Sequence, residues 1–173
     1  MLSETELAKG IARRAHDGQQ DKAGRDYFDA HLIPIASAAT VFGETVTAAA
    51  WLHDVLEDTS VTADELRRLG ASPPVVSAVE SVTRRTNESY AQLIQRTGAD
   101  PVGRFVKLID NAWNITSNPI LAETDPERAK SLLHGRYEPA RRQLMRACAI
   151  EENTRAIGEV HAILNTFHQN LAR

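Results

Sequence analysis

The chain has 173 residues, 42% of them hydrophobic and 25% charged, with 20 Lys+Arg against 23 Asp+Glu and a formal charge of −3. That profile fits a single globular domain large enough to fold without disulfides or a structural metal. The slight acidity speaks against general affinity for duplex nucleic acid, which shows as a clustered basic stripe. The single cysteine, Cys148, can form no internal bridge, so a reducing compartment is expected. No apolar run approaches the roughly 18 residues of a membrane span. The start, Met1-Leu2-Ser3-Glu4, has no basic head followed by an apolar stretch, so no secretory signal and a cytoplasmic address are expected.

Alanine is abundant and period-two alternation of β-branched residues is nearly absent, so helices are expected throughout. Ser3-Glu4-Thr5-Glu6 reads as a capping box opening a helix over 3–16. Residues 17–30, punctuated by Gly18 and Gly24, read as a long irregular segment, followed by helices over 32–42 and 44–57. A second capping box, Thr62-Ala63-Asp64-Glu65, opens 62–70, and Pro73-Pro74 starts 73–82. Helices over 88–98 and 101–116 follow, then a connection over 117–124. Asp125-Pro126 opens 125–149, and 151–171 closes the chain. No repeat, low-complexity tract or linker interrupts this series. The expectation is an all-α, compact single-domain helical bundle spanning 1–173.

Two His-Asp dipeptides stand out. His16-Asp17 closes the first helix, where the Asp reads as a solvated or loop-capping group. His53-Asp54 ends the apolar run Ala48-Ala49-Ala50-Trp51-Leu52 and is followed by Val55-Leu56-Glu57-Asp58-Thr59. On a continuous helix His53 lies above Glu57 and Asp54 above Asp58. Three acids and a histidine beside so apolar a helix need compensation if buried, and a divalent cation supplies it. Imidazole and carboxylate suit Mn, Fe or Zn. A helix end with a solvated acidic patch remains open on these residues alone.

A second polar cluster lies in Arg104–Asn114. Phe105, Leu108, Ile109 and Ala112 make one helical stripe, and Lys107, Asp110, Asn111 and Asn114 make the opposite face. A short carboxylate and two amides suit fixed hydrogen bonds and metal ligation better than a solvated face. Asp110 is therefore a candidate ligand, with Asn111 and Asn114 as candidate substrate or supporting groups. His31, before the apolar Leu32–Ala36, is a further candidate ligand. His134, His161 and His168 lie in the polar C-terminal half without acids at ligand spacing and read as structural.

Taken in order, Ala15-His16-Asp17-Gly18-Gln19, Asp21-Lys22-Ala23-Gly24, Tyr27, His31, His53-Asp54-Val55-Leu56-Glu57-Asp58-Thr59 and Val106-Lys107-Leu108-Ile109-Asp110 with Asn114 form a pattern. It resembles the hydrolase domain of RelA/SpoT homologues, especially the free-standing small alarmone hydrolases of the HD phosphohydrolase superfamily. The likeness runs over about residues 8–117, and HDVxEDT is its specific part. The resemblance implies an all-helical fold and one divalent ion, usually Mn, held by His31, His53, Asp54 and Asp110. It implies that Glu57 and Asp58 orient or activate the attacking water and assist proton transfer. Lys22 and Asn114 would hold nucleotide and phosphates, Ser117 stands where a small hydroxyl residue is expected, and Arg25 would receive remaining phosphate charge.

Three positions depart from the family pattern. Asp21-Lys22 stands where long alarmone hydrolases carry Arg-Lys. The step from Tyr27 to His31 is one residue longer than the common Tyr-x-x-His, and Leu32 replaces the usual following proline. Asp110-Asn111 replaces the usual Asp-Arg or Asp-Lys.

The expected activity is removal of the 3′-pyrophosphate from guanosine tetra- and pentaphosphate, a small-molecule nucleotide substrate. No synthetase segment follows, so degradation alone is expected. The alternatives are an HD phosphohydrolase acting on another nucleotide phosphate, kept open by Asp21 and Asn111, or a non-catalytic binding module stabilised by the metal. Oligomeric state is not legible.

Overall fold

The computed structural model describes residues 2–171. Its architecture is organised by α3 (Glu44–Leu52), which follows α1 (Glu4–Ala15) and α2 (Ile33–Ala39). Every residue of α3 from Val46 to Leu52 is buried. A helix apolar on all sides has to be surrounded, and α1, α2, α6 (Pro73–Val82) and α8 (Gly103–Thr124) pack against it. Ala48, Ala49 and Ala50 keep its girth small, so these neighbours approach closely. Between α3 and α6 the chain forms the short α4 (Val55–Asp58) and α5 (Ala63–Arg68).

A second, smaller apolar cluster joins α7 (Tyr90–Ala99) and α8 to the C-terminal helices. Ile94, Leu108, Leu144 and Ile157 are its buried centre. The remaining elements are α9 (Pro126–Leu132), α10 (Glu138–Cys148) and α11 (Arg155–Leu171). Among the described residues there is no strand beyond one antiparallel bridge, Gln20 with Asp26. No helix of the described residues is long and apolar enough to cross a membrane.

Both predicted capping boxes form, Ser3 with Glu6 and Thr62 with Glu65. A third, Ser89 with Gln92, opens α7. At Gly103, a Cβ would collide with Ser81 Oγ and lie 3.2 Å from the Ala78 carbonyl, so α6 and α8 meet where no side chain fits.

Three predicted elements differ. Residues 117–124 are not a connection: α8 continues through them with Pro119 inside it. Proline costs a helix one hydrogen bond and a local clash, yet the helix runs on through it with Asn118 buried just before. The 125–149 segment divides, with a wide turn over Leu133–Tyr137 between α9 and α10. The helix predicted from residue 32 starts earlier, in another wide turn over Phe28–Leu32. There the N–H of Ile33 reaches the Phe28 carbonyl five residues back. Pro34 has no N–H to give Ala30, which loosens the ordinary ladder at this point.

Candidate functional site

The predicted helix 44–57 breaks, and the break builds the site. α3 ends at Leu52 and α4 begins at Val55, so His53 and Asp54 occupy a turn rather than one continuous face. His53 is 3% exposed and donates Nδ1–H to the Ala50 carbonyl at 2.8 Å. That bond engages Nδ1 and turns Nε2 toward the neighbouring acid and imidazole. Nε2 lies 2.9 Å from Asp54 Oδ2 and 3.3 Å from His31 Nε2. His31 Nε2 is itself 3.1 Å from the same carboxylate oxygen.

The wide turn carries His31 to this meeting point. The rings of Tyr27 and His31, at its two ends, pack at 4.9 Å. Tyr27 donates its hydroxyl to Asp54 Oδ2 at 2.6 Å. Burial, reinforced by the Asp54 charge, pushes the Tyr27 phenol far above its ordinary range, so it stays a donor. Burial opposes charge on His53 as well, yet the adjacent Asp54 raises the imidazole to about 9. Burial likewise works against ionised Asp54, but His53 beside it and the hydrogen bonds from both histidines hold its carboxyl well below the usual range.

The candidate ligand atoms of His31, His53 and Asp54 all lie within 4.8 Å of one another. Their spacing near 3 Å is that of neighbouring ligands around an ion bound at about 2.1 Å. The carbonyl-anchored His53 has the supporting contact typical of a ligating imidazole. The donor set therefore fits a divalent transition metal.

Asp110 stands outside this group of three. Its Oδ2 accepts from Lys107 at 2.8 Å and its Oδ1 from Asn114 at 3.1 Å. Burial raises its carboxyl, but the adjacent Lys107 ammonium outweighs it and holds the pKa low. Asp110 is nonetheless near enough for the charges of His53, Asp54 and His31 to act on it. Asn111 is fully buried and donates to the Tyr137 carbonyl at 3.0 Å, so it packs α8 and does not reach a substrate.

A cavity of about 730 Å³ opens beside the cluster, a volume suited to a nucleotide. His31, Asp58, Lys22, Arg25, Asn114 and Ser117 all line it. Asp58 accepts from Gln19 Nε2 at 3.0 Å. Glu57 turns elsewhere, its Oε2 accepting the Arg84 backbone N–H at 3.1 Å. Arg25 is not a free cation: its Nε and Nη2 hold Asp21 Oδ2 at 2.8 and 2.7 Å. Asp21 also accepts the backbone N–H groups of Ala23 and Arg25, so the departure from Arg at this position organises the loop. Ser117 spends its hydroxyl hydrogen on the Trp113 carbonyl at 2.6 Å.

Three site contributors escape a reading of the sequence alone. His16 is 2% exposed, and its Nδ1 donates to Gln19 Oε1 at 2.7 Å. Gln19 thereby passes an ordered amide to Asp58. The sequence signal is the spacing of His16, Gln19 and Tyr27 on one loop, which has no chemical meaning until Asp58 is placed beside it. Asp17 is exposed, as expected. His168, read as structural, lines the cavity and stacks on Trp113 at 3.9 Å.

No family model matches the chain. It is 34% identical over 124 residues, 65% of its length, to a guanosine-3′,5′-bis(diphosphate) 3′-pyrophosphohydrolase of Aquifex aeolicus. It is 32% identical over 117 residues, 61% of its length, to a protein of the same name from Haemophilus influenzae. The match covers 17% of the length of each of these relatives. A solved structure of a metazoan ortholog of SpoT, described as hydrolysing ppGpp, superposes with a TM-score of 0.67 at 18% identity. That superposition covers 99% of this chain and 97% of that one. At such identity it speaks for the fold, and the all-α architecture is shared. In sequence and in fold, the chain resembles the hydrolase domain of the RelA/SpoT homologues.

Proposed function

We propose that residues 1–173 form one domain acting in the cytoplasm as a metal-dependent guanosine 3′,5′-bis(diphosphate) 3′-pyrophosphohydrolase. The observation that carries this reading is the convergence of His31, His53 and Asp54 at the edge of a cavity lined by Lys22 and Asn114. Sequence likeness to two pyrophosphohydrolases, over 65% and 61% of the chain, supports it. His31, His53 and Asp54 hold the ion, Mn in our reading. Asp110, whose charge already acts on all three, is the fourth ligand once its pairing with Lys107 loosens.

A divalent ion at this point supplies charge withdrawal from the phosphoryl oxygens and a more acidic water. The chain does the rest. Asp58, oriented by Gln19, takes the proton of the attacking water and returns one to the departing 3′-oxygen, and Glu57 assists once its contact with the Arg84 amide is released. Water adds to phosphorus as the bond from phosphorus to the 3′-oxygen breaks, giving GDP and pyrophosphate. Lys22 and Arg25 face the phosphate charge, and Asn114 and Ser117 contact the nucleotide.

One observation favours a second reading, a phosphohydrolase on another nucleotide phosphate. The Asp21 carboxylate occupies two donors of Arg25 and puts an acid where long alarmone hydrolases have a base. The test is protein stripped and reloaded with Mn, given guanosine tetraphosphate and a nucleotide panel, with pyrophosphate and phosphate release followed. Pyrophosphate from the tetraphosphate, lost in Asp54→Ala and Glu57→Ala, is the expected result. Orthophosphate from other nucleotides alone would establish the second reading instead.

A further inference from the structure

The cavity has two chemically different ends. Its charged end, at His31, Asp58 and Lys22, belongs with phosphate and metal. The other end runs along α8 from Asn114 to Leu121, about 10 Å at the helical rise. There Trp113, Ile120, Leu121 and His168 form an apolar wall with one ring-nitrogen pair in it.

The state of that ring follows from counting hydrogens. Thr116 Oγ1 donates to the Ala112 and Trp113 carbonyls at 2.9 and 3.1 Å, and Ser117 Oγ donates to the Trp113 carbonyl at 2.6 Å. A hydroxyl has one hydrogen, and with both hydrogens on these carbonyls the two oxygens accept from His168. His168 Nε2, 2.8 Å from Thr116 Oγ1 and 3.5 Å from Ser117 Oγ, is the proton-bearing nitrogen in that arrangement. Burial, with the Arg25 charge behind it, pushes His168 below its ordinary pKa, so the ring is neutral at neutral pH. Nδ1 is then a bare lone pair, with no hydrogen-bond partner among the described residues. Stacking on Trp113 at 3.9 Å and 11° fixes its plane.

We propose that His168 is a specificity-determining residue whose Nδ1 accepts a hydrogen bond from an N–H of the substrate's purine base. Guanine offers such groups at N1 and N2. The inference rests on the nucleotide reading above and adds to it the residue that meets the base. His168 reaches the cavity from α11, far along the chain from every other proposed contact, and closes it against α8.

The test is titration of the metal-free protein with GDP and separately with pyrophosphate, which has no base. His168→Phe keeps a ring on Trp113 and removes the acceptor. His168→Asn places an amide oxygen near the position of Nδ1. GDP affinity falls on the order of tenfold in His168→Phe, pyrophosphate affinity is unchanged, and His168→Asn recovers part of the loss. With guanosine tetraphosphate as substrate, KM rises in His168→Phe and kcat is kept. Undiminished GDP affinity in His168→Phe overturns the inference, as does a parallel loss for pyrophosphate. A selective GDP loss in protein that turns over no tetraphosphate upholds the inference and sinks the activity reading.

Discussion

His53 Nε2 and His31 Nε2 face one another at 3.3 Å with Asp54 Oδ2 between them, about 3 Å from each. Two imidazoles so placed against one carboxylate offer three donor atoms to one cation, which displaces the imidazole protons on binding. Addition of Mn to metal-free protein is therefore expected to raise the melting temperature. An ion at a hundred times its Kd stabilises by about 2.7 kcal/mol. His53→Ala should abolish the shift, and a Tm indifferent to Mn in the parent protein would count against the cluster as an ion site.

Gln19 links buried His16 to Asp58 through two hydrogen bonds of 2.7 and 3.0 Å. Gln19→Leu removes the donor that orients the Asp58 carboxylate while leaving His31, His53 and Asp54 intact. Activity should fall on the order of tenfold, mostly in kcat, as expected for loss of a supporting contact. Mn affinity measured by the melting shift should hold. An equal loss of ion binding would show that Gln19 works through the cluster and not through Asp58.

Arg96 spends all its donors on one corner of the fold. Its guanidinium takes the Glu80, Ser81 and Thr83 carbonyls at the end of α6 and both oxygens of Glu88. The Arg96 hydrogen bonds lower the Glu88 carboxyl to about 2. Because the folded pKa lies below the ordinary 4.5, the pairing stabilises fully above that value and is lost as pH falls toward 2. Arg96→Met should therefore lower stability at neutral pH and flatten its decline between about pH 4.5 and 2. Chemical denaturation at a series of pH values reads both effects.

Gly103→Ala places a methyl group against Ser81 Oγ and the Ala78 carbonyl. Overpacking of this kind costs about 1–3 kcal/mol. The variant should show that loss in urea unfolding. Ser81→Gly in the same chain should recover part of it, because the nearest colliding atom is gone.

Much of the helical order was legible because it is local. The boxes at Ser3–Glu6 and Thr62–Glu65 and the prolines at 73–74 act within one turn, so adjacent residues announce them. Ser117-Asn118-Pro119 reads as a break because propensity weighs against proline, yet α8 runs on through it. The continuous face from His53 to Asp58 failed for a related reason. His53 bonds back to Ala50, and the chain turns there to bring Asp54 toward His31. Candidate ligands announced themselves by type, and the structure brings His31, His53 and Asp54 together. The partner of Asp110 was hidden in plain view: Lys107, three residues earlier on the same face, takes one oxygen. The roles of His16 and His168 could not be read, since the groups that give them meaning, Asp58 and the Thr116–Ser117 pair, are distant in sequence.

The wide turn over Phe28–Leu32 has a dynamic corollary. It accommodates one residue more than an ordinary turn in the segment leading to His31, and Pro34 leaves the Ala30 carbonyl without its usual helical donor. Backbone so held opens more readily than a regular ladder, so amides at 29–32 should exchange with solvent faster than those of α3. An ion joining His31 to His53 would tie this segment to the most deeply packed helix of the fold. Order around His31 is then partly a product of ion capture, and the ligand's own segment becomes a reporter of whether the ion is bound.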